Sequence, residues 1–259
     1  MNDIFNWKRF IALFKKHSAE NYKTYLMSIG VLIGVLALIL SFITYTSDGH
    51  IGVFQQGIIF LNIMIFSGTI FTSMIFADLG SRKKAIPILT LPVSHLEKYL
   101  VAWLYSFVVF QLVYVGCFYA VDYIVLYAGN VGISDKNNMV NVFSTDDPFW
   151  IAFPQFAVLQ AICFIGAIYF ERMHFIKTAF LFFLFILFLS VFNTMLLNWV
   201  FGFKVDKGIP FSSVGITEAG HFWFIRRDHL GDAVVFASLA LVCGLLWLGS
   251  YFRLKEKQV

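Results

Sequence analysis

The sequence predicts an all-α integral membrane protein with six transmembrane helices and an N-terminal amphipathic helix lying in the membrane interface. Three observations carry this. The chain of 259 residues is 59% hydrophobic with 32 Phe, and only 13% charged, where soluble domains carry about 25% charged residues. Six stretches reach the ~20 apolar residues needed to cross ~30 Å of hydrocarbon. Finally, runs such as "AFLFFLFILFLSVF" are apolar at every position but Ser190, whereas a barrel strand alternates apolar and polar residues over ~10 positions. Backbone polar groups in lipid must be satisfied within the segment, so such runs are helices.

In order along the chain, residues 1–25 hold the amphipathic helix. At 100° per residue Ile4, Trp7, Phe10, Ile11, Leu13 and Phe14 fall on one half and Lys8, Arg9, Lys15 and Lys16 on the other, with Phe5 the exception. A basic amphipathic helix with Trp and Phe is expected in the interface plane; packing on the protein's own surface is the alternative. The spans are expected near 26–45, 57–77, 99–121, 149–170, 178–200 and 233–252, forming one transmembrane domain over 1–259. Gly30 and Gly34 form a GxxxG in the first span, a hint of close helix approach.

Between the second and third spans lies "RKKAIPILTLPVSHLEKYL". Ser94 and Glu97 form an S-x-x-E capping box, so the third helix is predicted to start at His95. Pro87 and Pro92 remove donors and restrict their predecessors, leaving Ile86, Ile88, Leu89 and Leu91 in a short stiff element beside Arg82, Lys83 and Lys84. Leaving such side chains in water would forgo roughly 1.5–3 kcal/mol each. They therefore require a partner surface, which is lipid, the N-terminal helix or a second protein. The long fifth loop carries "HFWFIRR" before the last span, a pattern that also suits an interfacial aromatic anchor.

Orientation follows from Lys and Arg. Fourteen fall on the side of the termini and the second loop, five on the other, which predicts both termini in the cytoplasm. The net charge of +4 is thus a lipid-facing edge rather than a nucleic-acid surface. Cys117, Cys163 and Cys243 lie singly in separate spans, indicating neither a disulfide framework nor a metal pair.

No Asp, Glu, Lys or Arg falls inside the spans so drawn, which argues against a proton- or ion-coupled pump. Asp78 and Asp122 are expected at span boundaries, Asp122 about 35 Å along the third helix from Lys98 and so near the outer surface. Asn62, Gln111, Gln160, Asn193 and Asn198 are polar positions within spans, with interhelical hydrogen bonding as their default role. HExxH, GxSxG, CxxC and the phosphate loop GxxxxGK[ST] are all missing from the sequence, so an enzyme is not expected and any nucleotide-driven motor belongs to another chain.

Six spans with inside termini, a basic amphipathic start and "LTLPVSHLEKYLVAWL" between spans two and three resemble the permease subunits of type-2 ABC exporters. The combination "FADLGSRKKAIPILTLPVSHLEKYL" is similar to small bacterial permeases of that family. The resemblance implies a permease of a bacterial inner-membrane transporter, an exporter, coupled to a separately encoded ATPase that binds the ATP, with no cofactor in this chain. It implies a homodimer or heterodimer with a second permease, in contact with membrane lipid and not with nucleic acid. Residues Arg82, Lys83, Lys84, Ile86, Pro87, Ile88, Leu89, Leu91, Pro92 and Ser94 would form the ATPase-contacting coupling helix. The fifth loop stands where the family commonly has outer re-entrant helices, and His221, Phe222, Trp223, Arg226 and Arg227 are outer-gate candidates. The alternative is a six-span substrate-binding or scaffold subunit with no gating role of its own.

Overall fold

The computed structural model describes residues 5–75, 93–130, 137–144, 148–170, 173–201, 214–218, 221–225 and 229–257. Within these, six helices are long and apolar enough to cross a membrane, and the protein is a multi-pass helical membrane protein. They are α1 (Trp7–Thr46), α2 (Val53–Met74), α3 (His95–Gly129), α4 (Ala152–Tyr169), α5 (His174–Phe201) and α6 (His229–Lys257). A 3-10 turn, Pro148–Ile151, leads into α4, and α3 contains a π-helical segment, Tyr105–Val109, between two α-helical parts.

The amphipathic N-terminal stretch is not a separate element in the interface plane. It runs into the first span as one 40-residue helix, about 60 Å long at 1.5 Å per residue. Between Trp7 and Ile29 the sequence contains neither Gly nor Pro, so nothing ends the helix where its character changes from amphipathic to apolar. Its apolar stripe packs along α3: Phe10 is buried with Val101 and Tyr105, flanked by Leu13 and Phe14. At the far end Thr44 meets Gly129. From Asn6 to Thr44 is about 57 Å of helix and from Glu97 to Gly129 about 48 Å, so α1 and α3 run side by side in the same direction.

Helix α4 is the centre of the bundle. Half of its apolar window is buried, and it packs against α2, α5 and α6. Without a hydrophobic driving force in lipid, helices associate through close packing and small residues. Gly57, Gly68 and Gly166 supply this: a Cβ on Gly68 would fall 2.2 Å from Phe156, one on Gly57 2.1 Å from Phe149, and one on Gly166 2.0 Å from Thr178 Oγ1. Gly30 and Gly34 have no atom within 4 Å of a built Cβ, so among the described residues the GxxxG pair brings no two helices together. The main core lies toward the end of α1–α4 that holds Thr44 and Gly129, where Leu36, Leu40, Phe60, Tyr114, Phe118 and Phe156 interlock.

The fifth loop departs from the expected re-entrant helices. Residues Val214–Glu218 (β1) and His221–Ile225 (β2) pair antiparallel, with Glu218 opposite His221 and Val214 opposite Ile225. Val, Ile, Thr, Phe and Trp are strand formers, and this stretch is rich in them.

Candidate functional site

The predicted start of α3 is where the sequence places it. Ser94 is the N-cap: its side chain accepts from the Glu97 N–H at 3.2 Å, and Glu97 Oε2 accepts from the Ser94 N–H at 3.2 Å. These reciprocal bonds satisfy two of the orphan donors at the helix start. Among the predicted coupling residues, Ser94 alone is described; Arg82, Lys83, Lys84, Ile86, Pro87, Ile88, Leu89, Leu91 and Pro92 lie outside the described residues.

Glu97 does more than close the cap. Its side chain has no solvent exposure, and Oε1 accepts from the Asn6 N–H at 2.7 Å and the Arg9 guanidinium at 3.2 Å. Asn6 in turn caps α1 by accepting from the Lys8 N–H. The first turns of α1 and α3 are therefore joined through one carboxylate. Glu97 precedes Lys98 and the apolar run that crosses the membrane. Burial pushes its carboxyl up, but the Asn6 and Ser94 amides and the Arg9 guanidinium outweigh burial and hold it below the usual carboxylate range.

Two turns further along α3, an aromatic cluster continues the contact. Phe14 stacks on Tyr105 at 4.8 Å, His17 Nε2 is 2.7 Å from the Tyr25 hydroxyl, and the Ser18 and Tyr105 hydroxyls are hydrogen-bonded. Tyr25 and Tyr105 form the inner end of an apolar groove of about 750 Å³ between α1, α2 and α3, whose walls include Ser28, Leu32, Ser67 and Phe71.

A second polar network joins α3, α4 and α6. Gln160 is fully buried; it donates to Ser106 at 2.8 Å and accepts from Trp247 Nε1 at 2.9 Å. Tyr99 donates to the Trp247 carbonyl at 2.7 Å and lies 2.9 Å from the Ser250 hydroxyl. Ser106 sits in the π-helical segment, a wider turn that often marks functional positions in helices. Gln160 thus has the interhelical role expected of it. Asn62 does not: its amide bonds back to Ile58 of its own helix and is exposed.

Of the outer-gate candidates, His221, Phe222 and Trp223 lie on β2, opposite Glu218, Thr217 and Ile216 respectively. Arg226 and Arg227 fall outside the described residues. Among the described residues no group of three or more His, Cys, Asp or Glu forms a metal-ligand set, and the three cysteines are free thiols.

At its C-terminal end α3 runs past the predicted span. The helix continues to Gly129, two turns past the predicted end of the span, which places Asp122 inside it. Asp122 is fully buried, and among the described residues neither carboxylate oxygen has a hydrogen-bond partner. It lies about 36 Å along α3 from Lys98, against ~30 Å of hydrocarbon. The predicted boundary followed hydropathy, and a carboxylate ends a hydropathy window whether or not the helix ends there.

No protein-family model, curated protein or solved structure matches the chain.

Proposed function

We propose that the chain is the membrane-spanning permease subunit of an ATP-driven ABC transporter, working as an exporter in a bacterial inner membrane with both termini in the cytoplasm. The segment 82–94 contacts a separately encoded ATPase that binds and hydrolyses the ATP, and the working unit contains two permease chains. The observation that carries this reading is the junction at Glu97, which ties the exit of that segment to α1 as well as to α3. A push delivered at Ser94 enters a helix whose first turn is closed by a double cap. It reaches α1 through the same carboxylate, so two membrane helices receive it together. Sequence supports the reading through the stiff "IPILTLP" stretch and its apolar side chains.

The test is co-purification of the tagged chain from its native membrane. An ABC ATPase should accompany it, and Leu89→Asp or Leu91→Asp should release that ATPase while leaving the permease folded. Absence of any ATPase, or an association indifferent to both substitutions, would overturn the proposal. A second reading, a ligand-capture subunit, draws on the apolar groove between α1, α2 and α3. It predicts that the 82–94 segment tolerates replacement while Ser28→Phe or Ser67→Phe abolishes ligand retention.

A further inference from the structure

The groove between α1, α2 and α3 opens sideways out of the bundle. Tyr105 and Phe110 of α3 form a buried floor, while Met27 and Val31 on α1 and Phe66 and Met74 on α2 are exposed along its rims. The 22 residues of α2 make about 33 Å of helix, close to the ~30 Å of hydrocarbon they cross, so an opening along this helix faces lipid. The groove takes Ile63 to Met74 of it, about 16 Å. That is the depth of one leaflet's hydrocarbon, half of ~30 Å, and it fits the acyl chain of a lipid from one leaflet.

The two ends of the groove differ. Toward the turn that joins α1 to α2, its lining ends at Ile39 and Ile63. At the other end the Tyr25 ring lies 5.7 Å from that of Phe71 and stacks on Tyr105 at 5.5 Å. Beside these rings stand His17, with Nε2 2.7 Å from the Tyr25 hydroxyl, and Ser18, hydrogen-bonded to the Tyr105 hydroxyl. Between the ends the polar wall side chains are Ser28 and Ser67, and Ser67 donates to the Ile63 carbonyl of its own helix. One end is thus polar and the rest apolar, the pattern of a lipid's headgroup and chain.

Lipid tails are as apolar as these walls, so the walls alone would select no lipid from the bulk. Selection has to come from the mouth. Tyr25 is level with Phe71, within one turn of the end of α2 at Met74, so the stretch of α1 before it reaches past the apolar layer. Residues 7–24 carry Lys8, Arg9, Lys15, Lys16 and Lys23 against one acid, Glu20. Basic side chains at a membrane surface attract anionic headgroups. We propose that the groove is a binding site for an anionic phospholipid, with an acyl chain held between α1 and α2 over α3 and the phosphate at the Tyr25–Tyr105 mouth. This names an occupant for the groove on which the ligand-capture reading draws, and it does not depend on the ATPase-coupled reading.

The test is photo-crosslinking of the full chain in phosphatidylcholine nanodiscs doped with phosphatidylglycerol that carries a diazirine in its acyl chain, with labelled residues located by mass spectrometry. Val31, Ile70 and Val109 in the groove should be labelled. Replacing part of the phosphatidylcholine by unlabelled phosphatidylglycerol, at constant probe, should suppress that labelling about tenfold. Labelling of Phe183 and Leu187, exposed on α5, should stay unchanged. Replacing the exposed Lys15, Lys16 and Lys23 together by Gln should remove most of the preference, and Ser67→Phe should block the groove. Should Ser67→Phe not fold, the competition in the wild-type protein decides by itself. Groove labelling that responds to the competitor no more than α5 does means a surface wetted by bulk lipid, and overturns the proposal. So does an unlabelled groove, the outcome expected if a second copy of the chain covers it. Loss of ligand retention in Ser67→Phe without lipid labelling of the groove would keep the ligand-capture reading and overturn this one.

Discussion

Replacing Glu97 by Ala removes the carboxylate that joins the first turns of α1 and α3. The capping interaction with Ser94 contributes about 1 kcal/mol, and the charge-assisted bond from the buried Asn6 amide about 1.5–3 kcal/mol. The Arg9 pair is worth less, about 0.5 kcal/mol, because the Arg9 side chain is 39% exposed and screened by solvent. The expected loss for Glu97→Ala is therefore about 3–4.5 kcal/mol. Arg9→Gln should lose only about 0.5 kcal/mol. Reversible unfolding in mixed micelles measures both. The pH dependence carries a sign as well. The Glu97 carboxyl titrates lower in the fold than in the unfolded chain. Its contribution is thus present above the ordinary glutamate value of about 4.3 and disappears as pH falls through the lower folded value. Glu97→Ala should flatten that acid limb. A loss below about 1 kcal/mol, or an acid limb identical to wild type, would refute the argument that this carboxylate is the junction.

Three further substitutions probe the bundle. Gly68→Ala would place a methyl 2.2 Å from the Phe156 ring and 2.7 Å from that of Phe110, and overpacking of that kind costs about 1–3 kcal/mol; the unfolding midpoint in micelles should fall accordingly. Gln160→Leu leaves the Trp247 indole N–H and the Ser106 hydroxyl without their partner and should cost about 1–2 kcal/mol. Combining it with Trp247→Phe should recover part of that loss in a double-mutant cycle. Gln56 is fully buried and bonds the Ile51 and Asn138 carbonyls and the Val140 N–H. Gln56→Ala should therefore raise hydrogen exchange at Val140 by at least tenfold, with a smaller effect at the opposite end of the bundle.

The spans were legible because lipid leaves the backbone few choices: an unbroken apolar run such as 179–192 has to be a helix. The start of α3 was legible because a capping box is a local pattern, complete within Ser94–Glu97. What Glu97 does beyond the cap was not, since Asn6 and Arg9 lie 91 and 88 positions away and no local pattern announces such a pairing. Continuity of α1 was open to a simpler reading, the lack of any Gly or Pro before Ile29. The change from amphipathic to apolar drew attention to a boundary that the backbone does not have. The β1–β2 hairpin was likewise written in the β-branched and aromatic residues of 214–225, and the family analogy pointed to helices instead. The third span was drawn to end at Val121 because hydropathy registers Asp122 as an end, while the helix is maintained by its backbone and by Val125 and Leu126 beyond it.

Glu97 and Gly129 stand at opposite ends of the same helix pair, about 48 Å apart along α3. If α1 and α3 part as one unit, the junction at Glu97 resists that opening, and breaking it should expose the buried Leu40 and Val125 more often. A junction worth about 3 kcal/mol corresponds to about a hundredfold in the opening equilibrium. Glu97→Ala should then speed D2O exchange of the Leu40 and Val125 amides by up to about that factor. Arg9→Gln should speed it only about twofold, in proportion to its smaller cost. Equal exchange rates in all three proteins would mean that the two ends open separately. The outer end would then be governed by its own contacts, Thr44 against Gly129 and the Asn137 amide on the Gly49 carbonyl. Asn137→Ala would accelerate exchange in that case while Glu97→Ala would not, so the pair of variants separates one lever from two local hinges.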